Sequence, residues 1–297
     1  MLISRIAPTP SGYLHLGNLL SFLQTWLIVR SHSGKLMLRI DDHDALRAKE
    51  EYLNDIFDSL SFLGIDYDIG PRNLQELKNE YSQHLRKHTY QEAIERLKAQ
   101  GNLYACTCSR KVISAENSYG LYPRYCREKG ISLNRPNVAL RIRLPMDDLS
   151  ITIKDDILTK EIELQLFDVM PDFVVRRKDS LPAYQIASLV DDEIFGVNYI
   201  VRGKDLIEST AAQMYLSEML DYSFHLSSRF FHHELLRGEG ELKLSKSAGA
   251  YSLFQMRKEG FRKEEILGIL GTYLGFEKRE VESPLWFLDN FDKIIWK

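Results

Sequence analysis

Cysteine is scarce in this sequence: 297 residues hold three, all between positions 106 and 126, which is too few for a disulfide framework. An excess of either charge is also missing. Thirty-nine Lys and Arg stand against 42 Asp and Glu, a formal charge of −3. That balance excludes a polybasic tail and confines any nucleic-acid contact to a local basic face. No stretch reaches the roughly 18 consecutive apolar residues of a membrane helix, and MLISRIAPTP lacks the charged-then-apolar order of a secretory signal. A cytoplasmic protein with no membrane partner is expected. Repeats and low-complexity tracts are absent too. What is present is 44% apolar content, enough to bury a sizeable core in one large domain or two.

The opening LISRIAP is a short apolar, β-favouring run ending at Pro8, and PTPSG (8–12) enforces an irregular loop. From His15 to His32 the residues Leu16, Leu19, Leu20, Leu23, Leu27 and Ile28 recur at helical spacing, with Gly34 as a C-terminal cap. KLMLRI (35–40) reads as a second strand running into DDHD. Strand, loop, helix and strand make a βαβ unit, hence a parallel α/β sheet with a right-handed crossover. Helical patterns fill 48–100, and shorter β-like pieces such as VALRIRLP and ITIKDDI occupy 101–183 as an insertion. Mixed patterns resume near 183, and the last 50 residues are mainly helical.

Two segments carry phosphate chemistry. SGYLHLGN (11–18) lies where the first strand passes into the first helix, so phosphate would meet helix N–H groups and a positive dipole there. His15 can donate to phosphoryl oxygens, and Gly17 lets a nucleotide approach the backbone. The plainer reading is a helix-start histidine and a packing glycine. ELKLSKSAGA (241–250) offers two lysines among small residues, suited to a triphosphate. By itself it reads as an ordinary solvated turn.

Together, HLGN and KLSKS (243–247) resemble the HIGH and KMSKS signatures of class I aminoacyl-tRNA synthetases. RIAPTPSGYLHLGN and AYQIASLVDDEIFGVNYIVRGKDL (183–206) resemble the glutamyl branch. The resemblance implies a Rossmann-like parallel sheet over 1–100 and 184–225, an α+β zinc-containing acceptor subdomain over 101–183, and a KMSKS loop with a helical C-terminal region over 226–297. It implies that ATP, taken with Mg2+, activates L-glutamate to an adenylate before transfer to tRNA. His15, Gly17, Asn18, Lys243 and Lys246 would be catalytic, with His15, Gly17 and Lys246 binding ATP. Arg5, Ala7, Thr9, Asp41, Tyr184, Ser188 and Arg202 would bind glutamate, the arginines through its side-chain carboxylate. Asp41 in RIDD stands where the family usually has Glu, Thr9 where Ser is usual, and Ser188 where many relatives carry a larger residue.

The cysteines, CTC at 106–108 and YPRYC at 122–126, lack a histidine between 89 and 224 to complete a local zinc set. In the resembled family a tyrosine is the fourth ligand, which here makes Cys106, Cys108, Tyr122 and Cys126 one structural zinc site. Arg110, Lys111, Arg124, Arg127 and Lys129, interleaved with Tyr119, Tyr122 and Tyr125, suit looped RNA or else a solvated charged loop. Only 50 residues follow Ser247, leaving no room for the anticodon-binding domain of longer relatives. The first expectation is therefore a monomeric enzyme that transfers glutamate to the queuosine of tRNA(Asp). A minimal ligase charging a tRNA 3′ end is the second, and an inactive paralogue binding RNA or protein the third.

Overall fold

The computed structural model describes residues 1–44, 48–116, 121–146, 149–224, 228–236 and 251–297. In chain order its elements are β1 (Ile3–Ile6), α1 (Leu16–Ser31), β2 (Lys35–Leu38), α2 (Glu50–Leu63), α3 (Leu74–Glu76), α4 (Lys87–Ala99), β3 (Leu103–Cys106), α5 (Arg110–Glu116), β4 (Ala139–Ile142), β5 (Ser150–Asp155), β6 (Lys160–Gln165), α6 (Leu166–Val169), β7 (Val174–Arg176), α7 (Tyr184–Ile194), β8 (Tyr199–Gly203), α8 (Ile207–Met219), β9 (Arg229–His233), α9 (Leu253–Lys258), α10 (Lys263–Tyr273) and α11 (Leu285–Asp289). They form two compact units. One comprises Met1–Leu85, Val197–Lys204 and Phe230–Lys297, the other Arg86–Gly196 and Asp205–Arg229.

In the first unit the strand order is β2-β1-β8-β9. β1 runs parallel to both neighbours, with Arg5 opposite Met37 and Ser4 opposite Tyr199, so the expected βαβ unit is present. Helix α1 buries Leu19, Leu20, Phe22, Leu23, Trp26, Leu27 and Val29. An apolar surface that wide needs cover on opposite sides. β1 and β2 supply one side and α10 and α11 the other. Each such side chain stabilises the fold by about 1.5–3 kcal/mol. The left-handed residue after α1 is Ser33 (φ 50°) and not the expected Gly34. Gly34 serves a close approach instead, since a Cβ there would lie 2.7 Å from the Leu2 carbonyl oxygen.

In the second unit β3, β4 and β7 form an antiparallel sheet, with Leu103 opposite Ile142 and Leu140 opposite Arg176. β5 and β6 form a hairpin. The pieces read in VALRIRLP and ITIKDDI are β4 and β5. Helix α7 packs against α4 and α8. The stretch 251–297 carries α9, α10 and α11, the helical character expected of it. Among the described residues no helix is long and apolar enough to cross a membrane.

Candidate active site

Parallel strands present their carboxyl ends at one edge, which is where α/β sheets bind ligands. β1 leads there to Ala7 and Thr9, β2 to Asp41, and β8 carries Arg202 near its end. The ladder continues past the strands: the Arg39 N–H reaches the Ile6 carbonyl and the Asp41 N–H reaches the Pro8 carbonyl, both at 2.9 Å. The turn after β1 is thereby held beside Asp41. Arg5 and Arg202 are each only 4% exposed, and Arg5 Nη1 donates to the Val201 carbonyl at 3.3 Å. Ala7 is half-buried and Thr9 exposed.

At the start of α1 the His15 ring is itself the cap. Its Nδ1 accepts from the Gly17 N–H at 3.1 Å and from the Asn18 N–H at 3.4 Å, while Asn18 Oδ1 accepts from the His15 N–H at 3.1 Å. A capping box of this kind normally uses Ser or Thr. Accepting through Nδ1 leaves the proton on Nε2, so the neutral ring turns a donor outward. Burial agrees, holding the pKa of His15 below its usual 6.5. Two helix-start N–H groups read from sequence as phosphate ligands are thus taken by His15. Gly17 has a reason internal to the cap, because a Cβ there would sit 3.0 Å from the imidazole.

Asp41 is not a lone carboxylate. Arg39 meets it bidentately, Nε to Oδ1 at 2.7 Å and Nη2 to Oδ2 at 3.2 Å, and Gln83 Nε2 donates to Oδ1 at 3.3 Å. All three side chains are buried. Sequence reasoning missed Arg39 and Gln83. A charged residue inside the apolar run KLMLRI was the available sign for Arg39, whereas Gln83 carried none.

Tyr184 and Ser188 lie in the second unit, one turn apart on α7, half-buried and buried respectively. Lys243 and Lys246 lie outside the described residues.

The second unit also holds the cysteine cluster. The sulfurs of Cys106, Cys108 and Cys126 lie within 4.8 Å of one another, Cys108 and Cys126 at 3.6 Å. Tetrahedral zinc with Zn–S bonds of about 2.3 Å spaces its sulfurs about 3.8 Å apart, so the set fits. Tyr122 is buried beside it, its phenol oxygen accepting from the Cys126 N–H at 3.1 Å and hydrogen-bonded to Cys106. Burial opposes ionisation of Cys126, yet the Thr107 N–H and hydroxyl and the Cys108 thiol bring it down to about 6. Burial and the neighbouring Cys126 hold Cys108 up at about 11.

The basic residues around the cluster divide. Lys111 and Lys129 are exposed, as is Tyr125 at 42%. Arg127 is committed inward, its Nη1 2.7 and 2.8 Å from the two carboxylate oxygens of the buried Asp172. Tyr104 and the Leu144 N–H donate to the same carboxylate at 2.8 and 3.0 Å. Arg124 lies over the Phe167 ring, 3.9 Å from its centroid. Tyr119 falls outside the described residues.

The fold and the HLGN edge define a class I synthetase architecture, and the chain belongs to the family described as tRNA synthetases class I (E and Q), catalytic domain, which matches residues 1–283. Among its relatives is a glutamyl-Q tRNA(Asp) synthetase from Symbiobacterium thermophilum, 36% identical, the alignment covering 98% of this chain and 93% of that protein. A glutamate–tRNA ligase from Anaeromyxobacter is 33% identical over 90% of this chain but 56% of its own length. The chain spans little more than half of that and similar ligases. A crystal structure of a glutamate tRNA ligase from Elizabethkingia meningosepticum in complex with its amino acid superposes over 99% of this chain and 64% of that one, with TM-score 0.72 and 22% identity. At that identity the likeness is one of fold.

Proposed function

We propose that this protein activates L-glutamate with ATP and transfers the glutamyl group to tRNA, its acceptor being the queuosine of tRNA(Asp). The observation that carries the activation step is the gathering, at one carboxyl edge, of a neutral histidine donor with Arg5, Arg202 and the clamped Asp41. A substrate carboxylate oxygen attacks the α-phosphorus of ATP, taken as its Mg2+ complex, and the bond to pyrophosphate breaks. Negative charge builds on the phosphoryl oxygens, and the Nε2–H of His15 donates to it without gaining or losing a proton. Arg5 or Arg202 meets the side-chain carboxylate of glutamate. Glutamine would leave that buried guanidinium unmatched, and polar sites of this kind discriminate by about 10⁴. Asp41 accepts from the substrate ammonium. Lys243 and Lys246 neutralise the departing pyrophosphate. Tyr184 and Ser188, on α7, are likewise proposed to bind glutamate. A hydroxyl of the nucleic acid then attacks the activated carbonyl and AMP leaves.

The choice of acceptor is supported by the glutamyl-Q relative, 93% of whose length this chain covers. Cys106, Cys108, Cys126 and Tyr122 would hold one structural zinc, supplying a crosslink to the segment between β3 and residue 126. Exposed Lys111, Lys129 and Tyr125 are the groups proposed to meet RNA.

The test is glutamate-dependent pyrophosphate exchange with and without tRNA, followed by labelling of tRNA(Asp) that carries or lacks queuosine. Exchange without tRNA and labelling only of queuosine-containing tRNA are expected. Strict dependence on tRNA with label at a 3′ end would favour the conventional ligase. Absence of exchange with every amino acid would sink both.

A further inference from the structure

Gln83 is a fully buried glutamine with no substrate contact in the function proposed above. It opens the 3-10 turn Gln83–Arg86, which Ser82 separates from a π turn over Leu77–Tyr81. From there it touches three consecutive residues beyond β2. Its N–H donates to Asp42 Oδ1 at 2.8 Å, its Nε2 to Asp41 Oδ1 at 3.3 Å, and its Oε1 meets the N–H and Nδ1 of His43 at 3.3 and 2.8 Å. Ser82 adds a hydroxyl to Asp42 Oδ2 at 2.7 Å.

The amide can face only one way. A backbone N–H donates and a carboxylate accepts, so Oε1 must face His43 and Nε2 must face Asp41. His43 Nδ1, meeting an oxygen that only accepts, carries its proton. Reversing the amide would set carbonyl against carboxylate and NH2 against N–H. The side chain is therefore a directional spacer between His43 and Asp41, and the three hydrogen bonds from Arg39 and Gln83 described above all donate to the ionised form of Asp41.

We propose that Gln83 is a positioning residue for the substrate ammonium: it holds the Asp41 carboxylate in the orientation and ionised form that receive the α-amino group. This rests on the role proposed above for Asp41. It says further that the shorter Asp in RIDD works because a buried clamp fixes it, with Arg39 on one side and Gln83 on the other. A carboxylate so held loses little freedom when the ammonium binds.

Gln83→Glu tests this, because it keeps the size and the acceptor toward His43 while replacing the donor to Asp41 with a second carboxylate. In pyrophosphate exchange the KM for glutamate should rise about tenfold or more, the scale of one hydrogen bond lost from a charged group. The KM for ATP should stay within about twofold, and Gln83→Met should raise the glutamate KM by less than Gln83→Glu. In an Asp41→Asn background Gln83→Glu should add little further, since the repelling charge is gone. Thermal melts establish that each variant is folded. An unchanged glutamate KM in folded Gln83→Glu, an equal rise in both KM values, or full additivity with Asp41→Asn overturns the inference. Because every amino acid carries the ammonium, wild type that exchanges a different amino acid refutes only the choice of glutamate, and the same outcomes are read on that substrate. Wild type that exchanges none overturns both.

Discussion

The imidazole of His15 uses its two nitrogens for different ends. Nδ1 terminates α1 by accepting from Gly17 and Asn18, and that acceptance is what puts the proton on Nε2. Substitutions can separate the two roles. Asn at position 15 can cap a helix almost as well as any residue, so His15→Asn should leave the melting temperature close to wild type while slowing pyrophosphate exchange by about 10²–10³, the usual cost of one transition-state donor. His15→Ala should lose a similar rate and also about 1 kcal/mol of stability, read from a denaturant titration. The pH dependence has a definite sign. Burial lowers the pKa of His15 in the folded protein, so the unfolded chain binds the proton more readily, and stability falls as pH drops below the unfolded value of about 6.5. Protonation of Nδ1 also breaks the cap. Melts of wild type and His15→Asn between pH 5 and 8 should diverge on the acid side, and parallel curves would remove His15 from the pH response.

Helix α7 shows how an element can be fixed by a buried charge that its own sequence pattern does not reveal. Asp191 is wholly buried, and Arg86 reaches it through Nε at 2.7 Å and Nη2 at 2.9 Å while the Tyr90 hydroxyl donates at 2.7 Å. Burial first, and then the Asp191 charge, push the Tyr90 phenol well above its ordinary range. Breaking a buried pair strands the remaining charge, so Asp191→Leu should cost about 3–5 kcal/mol by urea denaturation. Tyr90→Phe, which removes one donor and leaves the ion pair, should cost about 1–3 kcal/mol. Equal effects of the two would mean that the pair itself contributes nothing. These residues also mark what sequence can and cannot give. The βαβ opening was legible because an apolar run stopped by Pro8, a helical repeat and a second run are local patterns. The place of HLGN at the passage from β1 into α1 was legible because strand end and helix start adjoin in the chain. The partners of Asp41 and Asp191 were not, since Gln83 lies 42 residues from one and Arg86 105 from the other. Local periodicity identifies which face is buried and not what charge waits there. For the same reason Arg127 read as belonging to an RNA face or a solvated loop, although Asp172, 45 residues on, claims it.

At the scale of the whole chain the two units divide the chemistry proposed here. Arg5, His15, Asp41 and Arg202 belong to the first; Tyr184, Ser188, the cysteine cluster and its exposed lysines belong to the second. The cluster has a support that needs no metal. Asp172, with φ 40°, receives Arg127, Tyr104 and the Leu144 N–H, and its carbonyl accepts from Arg141 at 2.8 Å, the guanidinium of which covers the Tyr122 ring at 3.5 Å. The network anchors the segment just beyond Cys126 to the sheet of β3, β4 and β7. Losing zinc should then loosen the stretch between Cys106 and Cys126 without unfolding the unit. Cys126→Ser should lower bound zinc from one per chain to near none by elemental analysis, and open that stretch to limited proteolysis. Glutamate-dependent pyrophosphate exchange should stay within about twofold, because the residues proposed for it lie on other elements. Transfer to tRNA should fall about tenfold, the scale of one lost stacking contact with an unpaired base. Exchange and transfer falling together would tie the zinc segment to the adenylation step and overturn this division of labour.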